Sequence, residues 1–310
     1  MLATLPGLAP ADLEALADLE RRTVQVDGGR LKLEWGVLRA RSHARADAAA
    51  GGDVREFLWW EGGRLLGFAG LYAFGSSTVE VAGMVDPAAR RRGVATELLD
   101  AVLARCRVRG DTRLLLVTPR SSVAGREFAR RVGGVLDHSE HALVLTGEPV
   151  DGPEDPAVTL RPATRADVPD LSRVLTAAFG SAPGDHLDQL SSDSTQTLVV
   201  QVVQVVQLVQ LVQLGELADA APPEPVTVGV VRLTRDGPSG GVYGFAVDPA
   251  WQGRGIGRDV LRRVCRQLRS SGAHQVGLEV AVENEHALGL YTSLGFTRVT
   301  TEDYDAVTVS

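Results

Sequence analysis

Apolar positions along the chain follow two kinds of period. Leu13, Leu16 and Leu19 recur at helical spacing behind Asp12, which predicts a helix capped by that carboxylate within a mostly helical stretch over residues 1–50. A weaker pattern from Leu31 to Arg45 fits a second helix or a loop. Runs of apolar and β-branched residues then predict strands at Glu56–Trp60, Arg64–Ala73 and Thr78–Val85, with Glu61-Gly62-Gly63 as a hairpin turn between the first two. Next come Asp86-Pro87, a loop of arginines ending in Gly93-Val94-Ala95, and a helix with Leu98, Leu99, Val102, Leu103 and Cys106 on its apolar face.

The pattern then returns. Asp248 repeats Asp86 and Gly255 repeats Gly93, each 162 residues on (248 − 86 and 255 − 93), and Val260, Leu261, Val264, Cys265 and Leu268 repeat the helix face. The register holds through Leu114–Val117 against Val276–Glu279 and Val132-Gly133 against Leu294-Gly295. A repeat this long means duplicated domains, because solenoid repeats are far shorter. Gly147–Ala157 is rich in Pro, Gly and acid, as a linker is, so the expected domains are 1–150 and 151–310. The second half restarts with a strand at Val158–Leu160 and a helix after Thr164 carrying Val168, Leu171 and Leu175. His141–Leu145 and Ala306–Val309 read as the last strand of each half. Leu198–Leu214, with glutamine at every third position, reads as an expanded strand whose start pairs and which gives way to a loop over Ala218–Pro225. It carries no chemistry.

Composition narrows the function. At 310 residues, 44% hydrophobic and 23% charged, the chain has the makeup of a soluble globular protein too long for one core. A net charge of −7 argues against bulk nucleic-acid binding. No basic segment followed by an apolar run opens the chain, and no run of about 18 uninterrupted apolar residues exists to span a bilayer. Cys106 and Cys265 both fall on apolar helix faces, which reads as two core thiols in a reduced, cytoplasmic protein and not as a disulfide or metal site.

The candidate chemistry centres on Gly241–Leu268. A strand there feeds a loop with Gly253, Gly255 and Gly257, and a helix follows at once. The unbonded N–H groups and positive dipole end of such a helix make an anion cradle, so Gln252–Gly257 reads as a phosphate or pyrophosphate site. The glycine spacing is not the dinucleotide fingerprint, and the P-loop lysine is absent. Downstream, a strand exits at Asn284 into a helix on which Ala287, Tyr291 and Leu294 share one face. That places Tyr291 inward, with a hydroxyl in need of a partner.

Gln252-x-x-Gly255-x-Gly257 behind a Val-Asp-Pro strand end, followed by Asn284-x-x-Ala287-x-x-Leu290-Tyr291-x-x-Leu294-Gly295-Phe296, resembles the GNAT N-acetyltransferase superfamily. The resemblance covers roughly residues 227–297 and, more weakly, residues 56–135. It implies an α/β fold of two tandem acyl-CoA N-acyltransferase domains, each a mixed, mainly antiparallel sheet flanked by helices. It also implies transfer of acetyl from acetyl-CoA to a primary amine of a small molecule or peptide. Gln252, Gly253, Arg254, Gly255, Ile256 and Gly257 would then hold the pyrophosphate. Phe245, Ala246 and Val247 would line the pantetheine arm and thioester, and Asn284 would contact that arm. Tyr291 would protonate the departing thiolate.

The first half departs from this pattern where chemistry is needed. Ala129 and Ser122 stand at the positions of Tyr291 and Asn284, although Arg90–Ala95 can still form a phosphate loop. That half reads as catalytically silent. An alkylammonium of pKa about 10.4 costs roughly 4 kcal/mol to deprotonate at neutral pH, and many relatives use a strand glutamate for it. Gly240–Val247 has no carboxylate; Glu80, in the first half, reads as solvent-facing, and Glu279 and Glu283 read as solvated or capping residues. A mycothiol-synthase-like activity, in an enzyme that is also tandem with an active second half, is a narrower alternative that the missing carboxylate counts against. A non-catalytic CoA-binding protein is the other.

Overall fold

In a computed structural model the protein is described over residues 1–47, 53–73, 78–180, 190–192, 194–203 and 224–309. The chain divides into two compact units, and neither is one continuous segment. Unit 1 comprises Met1–Ala142, Val280–Glu283 and Arg298–Ser310; unit 2 comprises Leu143–Glu279 and Asn284–Thr297.

Unit 1 begins with β1 (Leu2–Leu5), α1 (Pro10–Asp27) and α2 (Trp35–Asp47). Asp12 does not cap α1. The helix starts earlier, and Asp12 sits in its first turn, where Oδ2 accepts from the Ala9 amide at 2.9 Å. The hairpin of β2 (Glu56–Glu61) and β3 (Arg64–Ala73) leads to β4 (Thr78–Val85), α3 (Val94–Arg109), β5 (Arg113–Pro119), α4 (Val123–Arg131) and β6 (Val135–Leu145). The sheet order is β1-β2-β3-β4-β5, and β5 is then closed by the last strand of the chain, β13 (Thr297–Thr308). That ladder is antiparallel and runs from Glu302 opposite Pro119 to Thr308 opposite Arg113. Leu98, Leu99, Val102 and Cys106 of α3 pack with Leu114 and Leu116 on one face. Leu16 and Leu19 of α1 pack with Phe68 and Met84 on the other. Each such buried side chain contributes about 1.5–3 kcal/mol.

Unit 2 repeats the plan with β7 (Val158–Pro162), α5 (Val168–Phe179), a short β8 (Ser191–Ser192), β9 (Thr195–Val202), β10 (Val226–Asp236), β11 (Ser239–Val247), α6 (Ile256–Ser270), β12 (Gln275–Ala281) and α7 (Glu285–Ser293). Its order is β7-β9-β10-β11-β12, and the end of β6 runs beside β12. Each half thus takes its last strand from the other half of the sequence. Leu198–Val202 lies in β9 as expected, whereas residues 204–214 of the glutamine-spaced run, and most of the loop expected after it, lie outside the described residues.

The halves are not in step at every residue. On β4 the parallel ladder to β5 runs from Thr78–Arg113 to Ala82–Val117, whereas on β11 the ladder to β12 runs only from Ser239–Gln275 to Gly241–Gly277. Gln275 and Gly277 lie 162 residues beyond Arg113 and Leu115, but their partners Ser239 and Gly241 lie 161 beyond Thr78 and Glu80. The slip is a bulge. Gly244 has φ +51°, and β11 spends three residues where β10 spends two, between the pairs Val230–Ala246 and Arg232–Tyr243. In space, therefore, the counterpart of Glu80 is Gly241.

Candidate active site

In both units the ladder stops while the strands continue, so a wedge opens between them. In unit 2 the wedge is bounded by β11 beyond Gly241, the loop that follows and α6. Phe245 is half-buried, and Ala246 and Val247 are 5% and 8% exposed. Asp248 closes a short turn by accepting from the Ala250 amide at 3.0 Å. Gln252 turns its side chain back, and Nε2 donates to the Val247 carbonyl at 2.9 Å. Gly253 and Gly255 have φ of +74° and +84°, a left-handed backbone that a side chain would strain. Gly255 is the N-cap of α6 and leaves the first-turn amides of Ile256 and Gly257 without intrahelical acceptors. Arg254 is exposed, with its guanidinium 4.7 Å from the Trp251 ring.

The second motif lands on the first. A Cβ at Gly257 would lie 3.4 Å from Leu290 Cδ2 and 3.7 Å from Phe245 Cζ, so strand, helix start and α7 converge there. Tyr291, the residue after Leu290, is 8% exposed and meets Phe296 edge-on at 6.1 Å. Burial pushes its phenol up to about 12. Among the described residues its hydroxyl has no hydrogen-bond partner. Asn284 caps α7 through its carbonyl oxygen, which accepts from the Ala287 amide at 3.0 Å. Nine of the residues expected to meet a cofactor thus follow one path from β11 into α6, and α7 meets that path at Leu290, the residue before Tyr291.

Unit 1 reproduces the turn down to its hydrogen bonds. Asp86 accepts from Ala88 at 2.9 Å, Arg90 Nε donates to the Val85 carbonyl at 3.2 Å, and Gly93 caps α3 with φ +88°. Arg91 stands in the place of Gly253 and takes φ +62°, a conformation rare for a side chain. The three arginines differ in role. Arg90 holds Asp27 with two bonds of 2.8 and 2.9 Å, and Arg92 pairs with Glu61. Asp27 also accepts from Ser122, which caps α4 as Asn284 caps α7. Ala129, in the place of Tyr291, is a 1% exposed core residue.

Two features lay outside the sequence reading. Unit 1 holds a cavity of about 530 Å³ in its wedge, lined among others by Phe68, Met84, Leu116, Phe128, Arg91 and Gly93. Glu80 is half-buried and not simply solvent-facing; its carboxylate is 3.5 Å from the buried Lys32 ammonium. A glycine inside a strand, as at Gly244, was the available signal that the register of the second half slips.

The sequence model of the acetyltransferase (GNAT) family matches residues 21–133 and 215–296. A mycothiol acetyltransferase from Catenulispora acidiphila is 31% identical over 299 residues, covering 93% of this chain and 93% of that protein. A GCN5-related N-acetyltransferase from Sphaerobacter thermophilus superposes with a TM-score of 0.73 at 18% identity, over 99% of this chain and 96% of that one. A tandem GNAT protein from the clavulanic acid biosynthesis pathway superposes at 0.62 and 15% identity, covering 100% and 99%. The two structures show the fold; the sequence matches show the family.

Proposed function

From the premise that this chain belongs to the GNAT acetyltransferase family, we propose that its second unit moves the acetyl group of acetyl-CoA to a primary amine, with Tyr291 beside the leaving sulphur. We propose further that the acceptor is of the kind used by mycothiol acetyltransferases. The observation that carries the reading is the convergence of Phe245, Gly257 and Leu290 next to a buried phenol that has no hydrogen-bond partner among the described residues.

Each residue then has a task. The amides from Gly253 to Gly257, at a helix start, face the pyrophosphate. The edge of β11 beyond Gly241, at Phe245–Val247, presents backbone groups to the pantetheine arm, and the Asn284 NH2 meets the same arm. Acetyl-CoA supplies the thioester. A phenol at about 12 is too weak an acid to give its proton outright to a thiolate of ordinary pKa, about 8.5. Tyr291 instead donates a hydrogen bond to sulphur as charge develops there, an interaction stronger in the transition state than in the ground state. The amine's own proton ends on the thiol.

The position of the missing carboxylate bears on the acceptor. Unit 2 has Gly241 where unit 1 has Glu80, and the Tyr243 ring fills that space: a Cβ on Gly241 would meet it at 2.5 Å. With no carboxylate on β11, an acceptor that is already partly neutral is favoured. An α-amine of pKa about 8 is neutral to about a tenth at pH 7, an alkylamine to about one part in two thousand. That difference of roughly 3 kcal/mol favours an α-amino acceptor. Unit 1, with its cavity and its intact turn but Ala129 for the phenol, binds acetyl-CoA and transfers nothing to external amines.

Thiol release from acetyl-CoA tests this with desacetyl mycothiol, simple α-amino amides and alkylamines as acceptors. At pH 7 the α-amines should exceed the alkylamines at least a hundredfold in kcat/KM, and the gap should narrow as pH rises to 9. Equal rates at pH 7 would rule out the acceptor assignment.

A further inference from the structure

The sequence holds 32 lysine and arginine residues, and Lys32 is the only lysine among them. It lies between α1 and α2 with its side chain 8% exposed. Nζ donates to the Tyr304 hydroxyl at 2.6 Å and lies 3.5 Å from Glu80 Oε2 and 3.8 Å from Glu140 Oε2. The Tyr304 hydroxyl in turn donates to Glu140 Oε2 at 2.7 Å, and its ring stacks on His138. Arginine holds carboxylates at least as well, through a planar fork. What lysine alone adds is a nitrogen that can lose a proton and attack a carbonyl.

That nitrogen neighbours the strands that form the wedge, although neither Lys32 nor Glu80 lines the cavity itself. Glu80 lies two residues before the β4–β5 ladder ends at Ala82–Val117. Val81, Val117 and Leu31, the residue before Lys32, line the cavity. Val117 also packs with Tyr304 in one small cluster. The cavity and the amine therefore share neighbours on β4 and β5.

We propose that Lys32 is an acyl acceptor, acetylated by acetyl-CoA bound in the cavity of unit 1. This rests on the reading above that acetyl-CoA enters that cavity. The Lys32 ammonium gives one proton to Glu80, and its lone pair attacks the thioester carbonyl carbon. The C–N bond forms and the C–S bond breaks. The second proton leaves along Tyr304 to Glu140 and on to solvent, and the proton on Glu80 goes to the CoA thiolate. One ammonium and one acetyl-CoA become one acetamide, one CoA thiol and one free proton. Glu80 touches the reacting nitrogen and acts as its base.

The full chain is incubated with acetyl-CoA carrying a ¹³C-labelled acetyl group, and label is located by peptide mass mapping while calorimetry counts bound acetyl-CoA. Label should approach one per chain, on Lys32, at a rate that saturates with acetyl-CoA. Glu80→Gln should slow it at least tenfold at saturation; Glu140→Gln serves the same purpose if that variant does not fold. An unlabelled Lys32 with two acetyl-CoA bound per chain overturns the proposal and leaves the binding reading standing. An unlabelled Lys32 with one bound overturns both. Label that grows without saturation, or at an unchanged rate in both variants, is solution chemistry and overturns the proposal as well.

Discussion

Burial sets the acidity of Tyr291. Its phenol is pushed up to about 12 by burial, and Tyr72 is raised as well for the same reason. Both folded values exceed the unfolded one, so the stability they contribute is complete below pH about 10 and is lost as pH rises through the folded values. Thermal unfolding followed from pH 8 to 12 should show a melting temperature that falls mainly above pH 10. The activity profile should carry no loss assignable to Tyr291 below that point; a loss of kcat near pH 9 that vanishes in Tyr291→Phe would contradict the assignment. Cys106 and Cys265, pushed up by burial to about 11 and about 12, stay as thiols and add no background to a thiol-release assay.

The turn between β11 and α6 separates glycines that are needed from one that is not. Gly255 has φ +84°, so any side chain there is strained by about 1 kcal/mol or more. Gly257 has an ordinary φ, and a Cβ would make only van der Waals contact at 3.4 Å. Ala95 occupies its counterpart in unit 1. Gly255→Ala should therefore weaken acetyl-CoA binding at unit 2 at least fivefold by calorimetry, and Gly257→Ala less than twofold. The reverse order would exclude the backbone cradle. This element was legible in the sequence because glycine spacing and helix period are local. β3 and β4 were legible to the residue for the same reason. The Gly244 bulge was not, because a strand's face depends on its partner's register, and one slipped residue moves every side chain to the other face.

At the level of the molecule, duplication was readable as an offset of 162, but the ownership of strands was not. A linker composition says where a chain turns, and not which edge a terminal strand will close. Here β13 pairs with β5 and β6 lies beside β12, so a chain cut at residue 150 would strip unit 1 of the strand that covers Leu115 and Val117. The proposed division of labour is accordingly tested in the intact chain, by one substitution. Tyr291→Phe removes a hydroxyl that has no protein partner among the described residues, and so leaves the packing in place. The decisive measurement is its kcat for thiol release with an α-amino acceptor, alongside the number and affinity of acetyl-CoA bound. Two acetyl-CoA per chain at unchanged affinity, with kcat reduced at least tenfold, is the predicted result. An unchanged kcat would place the chemistry elsewhere and contradict the account.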